Sequence, residues 1–322
     1  MFTLKRKHMK GLQIKDHVIR YVGTKDPSLS TIESFGEKYL PKGVIEKGKI
    51  VDEPMFDSIL EECVLRWGLK NKEVLFFVPD SSVFFRKISI SSDLPIEEIR
   101  GYLNFEIGST IHLPFDDAYF DFYVLNEEEE NSTGKRDILF FAAPEQLVKL
   151  YSQKLEEFKL KPIVADISPL SFYRLFTHVS EAEEKEHYLF IEWDLTSINL
   201  SIFHEDKPVF MRHLPYGMDE EDWNIRMDEG MAMLVCRNDT KVEGEINDQL
   251  LEIERVMNFY KYTMNQGEQE ITNIILAGDH PKIKLIRNKI SENSIPFKAF
   301  NEVNLGVHYH FYLPLSLCLK EV

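Results

Sequence analysis

The sequence is poor in cysteine, glycine, basic charge and long apolar runs, and each shortage narrows its chemistry. Cys63, Cys236 and Cys318 stand far apart and form no C-x-x-C pair, so a zinc site is not indicated. An odd, sparse cysteine count fits a reducing compartment better than a disulfide framework. Thirty-eight Lys and Arg face 54 Asp and Glu, a net charge of -16. Such a surface repels phosphate backbones and anionic lipid, so neither nucleic-acid binding nor broad adsorption to membranes is expected. No run approaches the roughly 18 apolar residues of a membrane span. The opening Met1-Phe-Thr-Leu-Lys-Arg-Lys-His is basic but no apolar stretch follows it, so it does not read as a signal peptide. G-x-S-x-G and H-E-x-x-H are both missing, and with them two hydrolase templates.

What is present supports a large α/β protein. The chain has 322 residues, 43% of them hydrophobic, enough for two lobes rather than one small domain. A strand pattern surrounds Leu12, Ile14, Val18, Ile19 and Tyr21. A helix is predicted from Glu53 to Trp67, with Met55, Ile59, Leu60, Cys63, Val64 and Trp67 on one face and Gly68 at its end. Val74–Val78 and Val83–Ile90 read as strands. The next helix is expected near Pro95, capped by Asp93, with Ile96, Ile99, Leu103, Ile107 and Ile111 on its apolar face. Strands at Tyr119–Leu125 and Asp137–Ala143 flank the polar loop Asn126–Gly134. A helix Glu145–Phe158 then leads into the strand Pro162–Ile167, so residues 79–160 read as a compact α+β insert.

The charged stretch Glu181–Glu186 marks a lobe boundary. Tyr188–Glu192, Ile198–Phe203 and Lys207–Leu214 read as strands, and Asn247–Met264 as a helix. Ile274–Ala277 is a further strand, and Tyr312–Leu319 is apolar. Each half opens with a similar strand pair, a weak internal repeat. His308 and His310 alternate as on a strand, but no Cys or carboxylate stands at ligand spacing, so no metal site is assigned. The acidic runs Glu127–Glu130 and Asp219–Asp222 read as solvated loops.

Several segments, in order, resemble the PilM family of type IV pilus assembly proteins. They are Leu40-Pro-Lys-Gly-Val-Ile-Glu-Lys-Gly-Lys-Ile-Val-Asp52, Val78-Pro-Asp-Ser-Ser-Val-Phe-Phe-Arg-Lys-Ile88, Ala165-Asp-Ile-Ser-Pro-Leu170, Arg212-His-Leu-Pro-Tyr-Gly217, Ile253-Glu-Arg-Val-Met-Asn-Phe-Tyr260 and Leu313-Pro-Leu-Ser-Leu-Cys-Leu-Lys320. The resemblance implies a two-lobed actin-like fold, similar to FtsA, with duplicated RNase-H-like cores. The first lobe would take residues 1–180, with core segments 1–78 and 161–180 around the insert 79–160. The second would take 187–322, with a helical subdomain at about 218–268. It further implies a cytoplasmic scaffold, peripheral to the inner membrane, that binds the cytoplasmic tail of a PilN-type membrane protein and joins the pilus platform. The membrane would be reached only through that partner.

Actin-like ATPases cradle phosphates on two hairpins whose glycines let backbone N–H groups approach, while an Asp organises Mg²⁺. Here the first hairpin reads Gly11-Leu-Gln-Ile-Lys-Asp-His-Val18, with Gln13 and Lys15 where Asp and Gly are expected. The second reads Phe190-Ile-Glu-Trp-Asp-Leu-Thr-Ser197, with Glu192 keeping a carboxylate and Asp194 replacing glycine. The adenosine loop reads Leu276-Ala-Gly-Asp-His280, with Gly278 kept and Asp279 in the next glycine's place. The cleft is therefore assigned, as a vestige, to Gln13, Lys15, Asp16, Glu192, Asp194, Ser197, Gly217, Gly278 and Asp279. Fifteen glycines in 322 residues, against the roughly 7% usual in proteins, agree with lost phosphate loops.

The expected protein is a pseudo-ATPase with no catalytic residue, no metal and no cofactor. The alternative is a nucleotide-dependent switch or weak ATPase, with Lys15 on a phosphate and Glu192 holding Mg²⁺. A division-type membrane tether is disfavoured by the short, non-amphipathic end Leu319-Lys-Glu-Val322. The doubled aromatics Phe76-Phe77, Phe84-Phe85 and Phe140-Phe141 face both sides of their strands. They point mainly to core packing. Phe84, Phe85 and Arg86 are also candidates for a groove that takes an extended peptide along a strand edge.

Overall fold

The computed structural model describes residues 8–125, 134–180, 182–216, 222–228, 231–292, 295–300 and 303–321. Along the chain run β1 (Met9–Lys15), β2 (Val18–Thr24), β3 (Ile32–Tyr39), the short β4 (Ile45–Glu46) and β5 (Lys49–Ile50), α1 (Glu53–Arg66) and β6 (Glu73–Phe77). Then come β7 (Phe84–Ser91), α2 (Ile96–Glu106), β8 (Ala118–Val124), β9 (Lys135–Pro144) and α3 (Glu145–Glu157). β10 (Lys161–Asp166), α4 (Ser168–Val179), β11 (Tyr188–Trp193), β12 (Ser197–His204), β13 (Lys207–Pro215), β14 (Trp223–Asp228) and β15 (Met231–Cys236) follow. The chain closes with α5 (Asp239–Asn258), a π-helical stretch Phe259–Met264, β16 (Asn273–Ala277), α6 (Ile283–Ser291), β17 (Phe297–Ala299) and α7 (Tyr312–Leu317).

Two compact units result, one of residues 82–157 and one of residues 1–81 with 158–322. The larger unit holds two five-stranded sheets of identical topology, β3-β2-β1-β6-β10 and β13-β12-β11-β16-β17. In each, three strands form an antiparallel meander, and two more add in parallel beside the first of them. The parallel additions explain the unbroken apolar runs: β11, covered on both faces, is buried along its whole length. One hydrophobic cluster joins both sheets through α4 and α7, bringing together Val22, Leu75, Phe172, Phe176, Phe190 and Leu315. α7 lies so close to β1 that a Cβ on Gly11 would meet the Pro314 carbonyl oxygen at 2.0 Å. A second cluster packs α5 and α6 on the other face of the second sheet, through Ile191, Trp193, Val242, Ile246 and Ile286.

The smaller unit is the antiparallel sheet β7-β9-β8. Phe120 and Phe122 of β8 turn to the side where Ile99 and Leu103 of α2 meet Ile138 and Phe140 of β9.

Several expectations are corrected. On α1 the inward residue of the first turn is Phe56, while Met55 is 43% exposed. Asp93 does not cap α2; Pro95 stands at the cap with no side-chain bond, the preceding backbone being held by Ser91. Ile96 is exposed, and α2 ends before Ile107. The helix expected over Asn247–Met264 begins at Asp239 and finishes in π geometry, with Met264 exposed. The stretch 218–268, expected to be helical, contains the β14–β15 hairpin. His308 caps a 3-10 turn, Tyr309–Phe311, that contains His310, so neither lies on a strand.

Candidate functional site

The two-residue turn between β1 and β2 carries Asp16 and His17, and the hairpin between β11 and β12 carries Asp194, Leu195 and Thr196. The loop after β16 brings Gly278, Asp279 and His280 to the same place. The resemblance assigns the two hairpins to phosphates and the third loop to adenosine. Here they bond directly to one another.

Lys15 is the centre of the junction. Its ammonium donates to the carboxylates of both Glu192 and Asp194, which are 2% and 3% exposed. Glu192 also accepts from Ser168 Oγ at 2.8 Å and from Asn199 Nδ2 at 3.2 Å, and Asn199 donates to Asp80 at 2.8 Å. A second knot lies beside it. Asp279 is met by His17 Nε2 at 2.7 Å and Arg20 Nη1 at 2.7 Å. It also accepts from the Leu195 N–H at 3.2 Å. Arg20 continues to Glu37 at 2.5 Å, and His310 lies 3.7 Å from the same carboxylate. The Asp279 N–H donates to Asp194 Oδ1 at 3.3 Å, which ties the two knots together.

Burial sets the electrostatics. It pushes the Asp194 carboxyl up to about 8, against the opposing pull of Lys15. Burial alone would lower the Lys15 ammonium, but Asp194 and Glu192 together more than reverse that and keep it charged. Asp279 is buried too, yet His17 and the Arg20 guanidinium beside it hold it well below the usual carboxylate range. The remaining space between the hairpins is a cavity of about 70 Å³, lined among others by Gln13, Lys15, Asp80, Ser197 and His213. That is about two waters' share of volume, against the roughly 300–1,000 Å³ of ligand pockets.

The assigned residues thus take different roles. Lys15, Glu192, Asp194 and Asp279 meet in the network. Gln13 and Ser197 line the cavity, and Gln13 Oε1 has no hydrogen-bond partner among the described residues. Asp16 also lines the cavity, and it accepts the N–H groups of Lys47 and Gly48 at 2.6 and 2.9 Å, fixing the β4–β5 turn. Gly278 seals the junction, for its Cα lies against the Trp193 backbone. Gly217 lies outside the described residues. Sequence reasoning missed His17, Arg20, Asp80, Ser168 and Asn199. For Arg20 a signal existed: an arginine inside the apolar run Val18-Ile-Arg-Tyr-Val22 must find a buried partner.

Phe84, Phe85 and Arg86 stand apart on β7, an edge strand of its sheet. Phe84 packs edge-on against Phe140 and Phe85 against Phe141, with centroids 6.4 and 5.1 Å apart, and Arg86 is exposed.

His280 gives the junction a pH dependence. Its Nδ1 accepts the Lys282 N–H at 3.0 Å and its ring meets the Tyr216 hydroxyl at 3.2 Å, so the buried ring is held neutral. Burial lowers its pKa to about 3, and that of His308 to about 4. Below the unfolded histidine value of 6.5 the unfolded chain takes up protons that the folded one refuses. Stability is therefore expected to fall as pH drops from 6.5 towards 4, by up to about 1.4 kcal/mol per unit for His280, with the half-buried His308 adding less because solvent screens it. Urea midpoints measured across this range should decline less steeply in His280→Phe; an unchanged slope would remove His280 from the account.

Comparison with known proteins matches this geometry to a family. The model of the type IV pilus assembly protein PilM family matches residues 11–233, more than half of the chain. None of the curated proteins matches it. Among solved structures, a PilM-PilN type IV pilus biogenesis complex superposes with a TM-score of 0.72 at 17% identity, covering 98% of both chains. The ethanolamine utilization protein EutJ of Carboxydothermus hydrogenoformans gives 0.52 at 10% identity, covering 98% of this chain and 90% of that one. A Bacteroides thetaiotaomicron protein with an actin-like ATPase fold and unknown function gives 0.51 at 9%, covering 98% and 97%. The duplicated sheets and these likenesses give the chain an actin-like ATPase fold, and by the family match it belongs to the type IV pilus assembly protein PilM family.

Proposed function

We propose that this chain is a non-hydrolysing scaffold of a type IV pilus machine, held at the cytoplasmic face of the membrane by the tail of a PilN-type protein. The observation that carries the pseudo-ATPase part is Lys15 bonded to Glu192 and Asp194 across the hairpin tips. Family membership assigns these hairpins to phosphate binding, and the ion network that joins them supports a site without nucleotide. A polyphosphate would have to break these bonds and then sit beside Glu192, Asp194 and Asp279. At short range in a dry cleft that repulsion outweighs a few hydrogen bonds.

The partner part rests on family membership and on the likeness to a structure that contains PilN. Among the described residues no helix is long and apolar enough to cross a membrane, so attachment through a partner suits the chain. The β7 edge, with Phe84, Phe85 and Arg86, offers unpaired backbone groups and a cation to an extended peptide.

Calorimetry on the purified chain tests both parts. Mg-ATP should give no heat of binding up to about 1 mM, an affinity weaker than about −4 kcal/mol. A synthetic PilN-type tail should bind, and Phe84→Ser with Arg86→Ala should weaken it at least about tenfold, or about 1.4 kcal/mol. Saturable nucleotide binding would turn the reading into a nucleotide-dependent switch. Unchanged tail affinity in a folded variant would move the tail elsewhere.

A further inference from the structure

We infer that a groove on the outer side of the second sheet docks a basic amphipathic helix of a second protein partner, a surface beyond the tail-binding reading above. Two depressions, of about 700 and 620 Å³, share Glu270, Ile271 and Ile295 and so form one continuous groove. Its first part runs between the end of α5, the π-helical stretch and α6; its second crosses the start of β16. Ile253, Ile274 and Ile290 form the apolar floor, and Leu251, 53% exposed, stands on the wall.

The rim is acidic. Glu254 and Glu292 flank the first part, Glu183 and Glu186 the second, and Glu270 stands between them. Lys261 pairs with Glu270 and Lys289 with Glu243 at 3.4 Å, while Lys298 donates to the Ser180 hydroxyl and keeps its charge against the four remaining rim carboxylates. Among the described residues no cation pairs with Glu183, Glu254 or Glu292. An apolar floor between unmatched carboxylates complements a segment with an aliphatic face and basic flanks.

The local backbone supports a binding role. π geometry is rare and concentrates at functional sites. Here the stretch carries Tyr262, 62% exposed, onto the lining of the groove. A helix suits the groove better than an added strand, because β16 is already paired on both sides, to β11 and β17. Anionic lipid and nucleic acid are repelled by the rim. A second copy, with the same net charge of -16, is repelled as well.

The test uses fluorescence anisotropy with a labelled leucine/lysine amphipathic helix of about 18 residues. Saturable binding is expected, weakened at least about tenfold in Glu254→Lys/Glu292→Lys and unaffected in the exposed control Glu97→Lys/Glu98→Lys, which changes net charge equally. Equal losses in both variants, or none in either, would overturn the proposal. So would equal binding of a scrambled peptide without an apolar face. Sedimentation showing a dimer that Leu251→Glu disperses would give the face to a second copy and overturn it too. Phe84→Ser/Arg86→Ala should leave probe affinity unchanged, so failure of the tail reading and failure of this one are distinguishable.

Discussion

Lys15→Met is expected to destabilise the protein by about 3–5 kcal/mol, the range for removing one partner of a buried ion pair. Glu192 and Asp194 are almost fully buried and lose their shared cation in this variant. Methionine fills the volume but offers no donor. Glu192 must then take up a proton or draw water into a cavity that has room for little of it. Ser168 and Asn199 still donate to Glu192, which keeps the loss from growing further. Lys15→Met/Glu192→Gln/Asp194→Asn removes charge from both sides and should recover most of the stability, since a buried pair replaced as a whole is often neutral or better. Urea denaturation at neutral pH reads both numbers. Wild-type stability in Lys15→Met would mean that the ammonium is solvated and the hairpins are free to part, and the cleft would again be open to an anionic ligand.

Individual residues of this junction were legible in the sequence, but their meeting was not. Gln13, Lys15, Asp194 and Asp279 stand out because each departs from the residue the resemblance leads one to expect, and Glu192 because it keeps the carboxylate. That Lys15 bonds Glu192 across 177 residues is a consequence of tertiary placement, which no local pattern encodes. The buried strands were readable for the reason given by their covered faces: Tyr188-Leu-Phe-Ile191 is apolar at every position, as a strand between two layers must be. The strand order of the two sheets was not legible, because periodicity fixes a strand's faces and leaves its neighbours open; the resemblance implied only duplicated RNase-H-like cores.

α4 was missed although Pro169 stands in its first turn and Phe172, Leu175 and Phe176 recur at helical spacing. Its short polar stretches broke the pattern. Asp93 was misread because a good capping residue near a proline resembles an N-cap, whereas the α2 backbone starts only after Pro95. The β14–β15 hairpin carried a strand signal, since Trp223-Asn-Ile-Arg-Met-Asp228 alternates apolar and polar and Ala232-Met-Leu-Val-Cys236 is continuously apolar, but the resemblance assigned the stretch to a helical subdomain.

Gly278→Ala is expected to cost more than about 4 kcal/mol, enough to abolish soluble expression of a protein of ordinary stability. Two independent terms add. The φ of +130° lies in a region that only glycine occupies without strain. A Cβ there would also come within 1.9 Å of the Trp193 carbonyl oxygen and 2.7 Å of its nitrogen. Neither side can yield, because Trp193 is fully buried and its carbonyl accepts the His280 N–H at 3.3 Å. Gly244→Ala on α5 is the matched control: nothing lies within 4 Å of its added methyl, and alanine in a helix interior should stabilise by about 0.5–1 kcal/mol. Thermal melts and soluble yields of the two variants separate the cases. The contrast bears on function as well as stability. In an actin-like nucleotide site this glycine keeps a loop clear for adenosine, whereas here its missing side chain lets two protein backbones touch. If Gly278→Ala folds with near-native stability, the loop can retreat from Trp193, and a gap wide enough for a nucleotide becomes part of the protein's accessible range. If it fails while Gly244→Ala does not, the closed junction is a requirement of folding, and the place of the nucleotide has been given over to the chain itself.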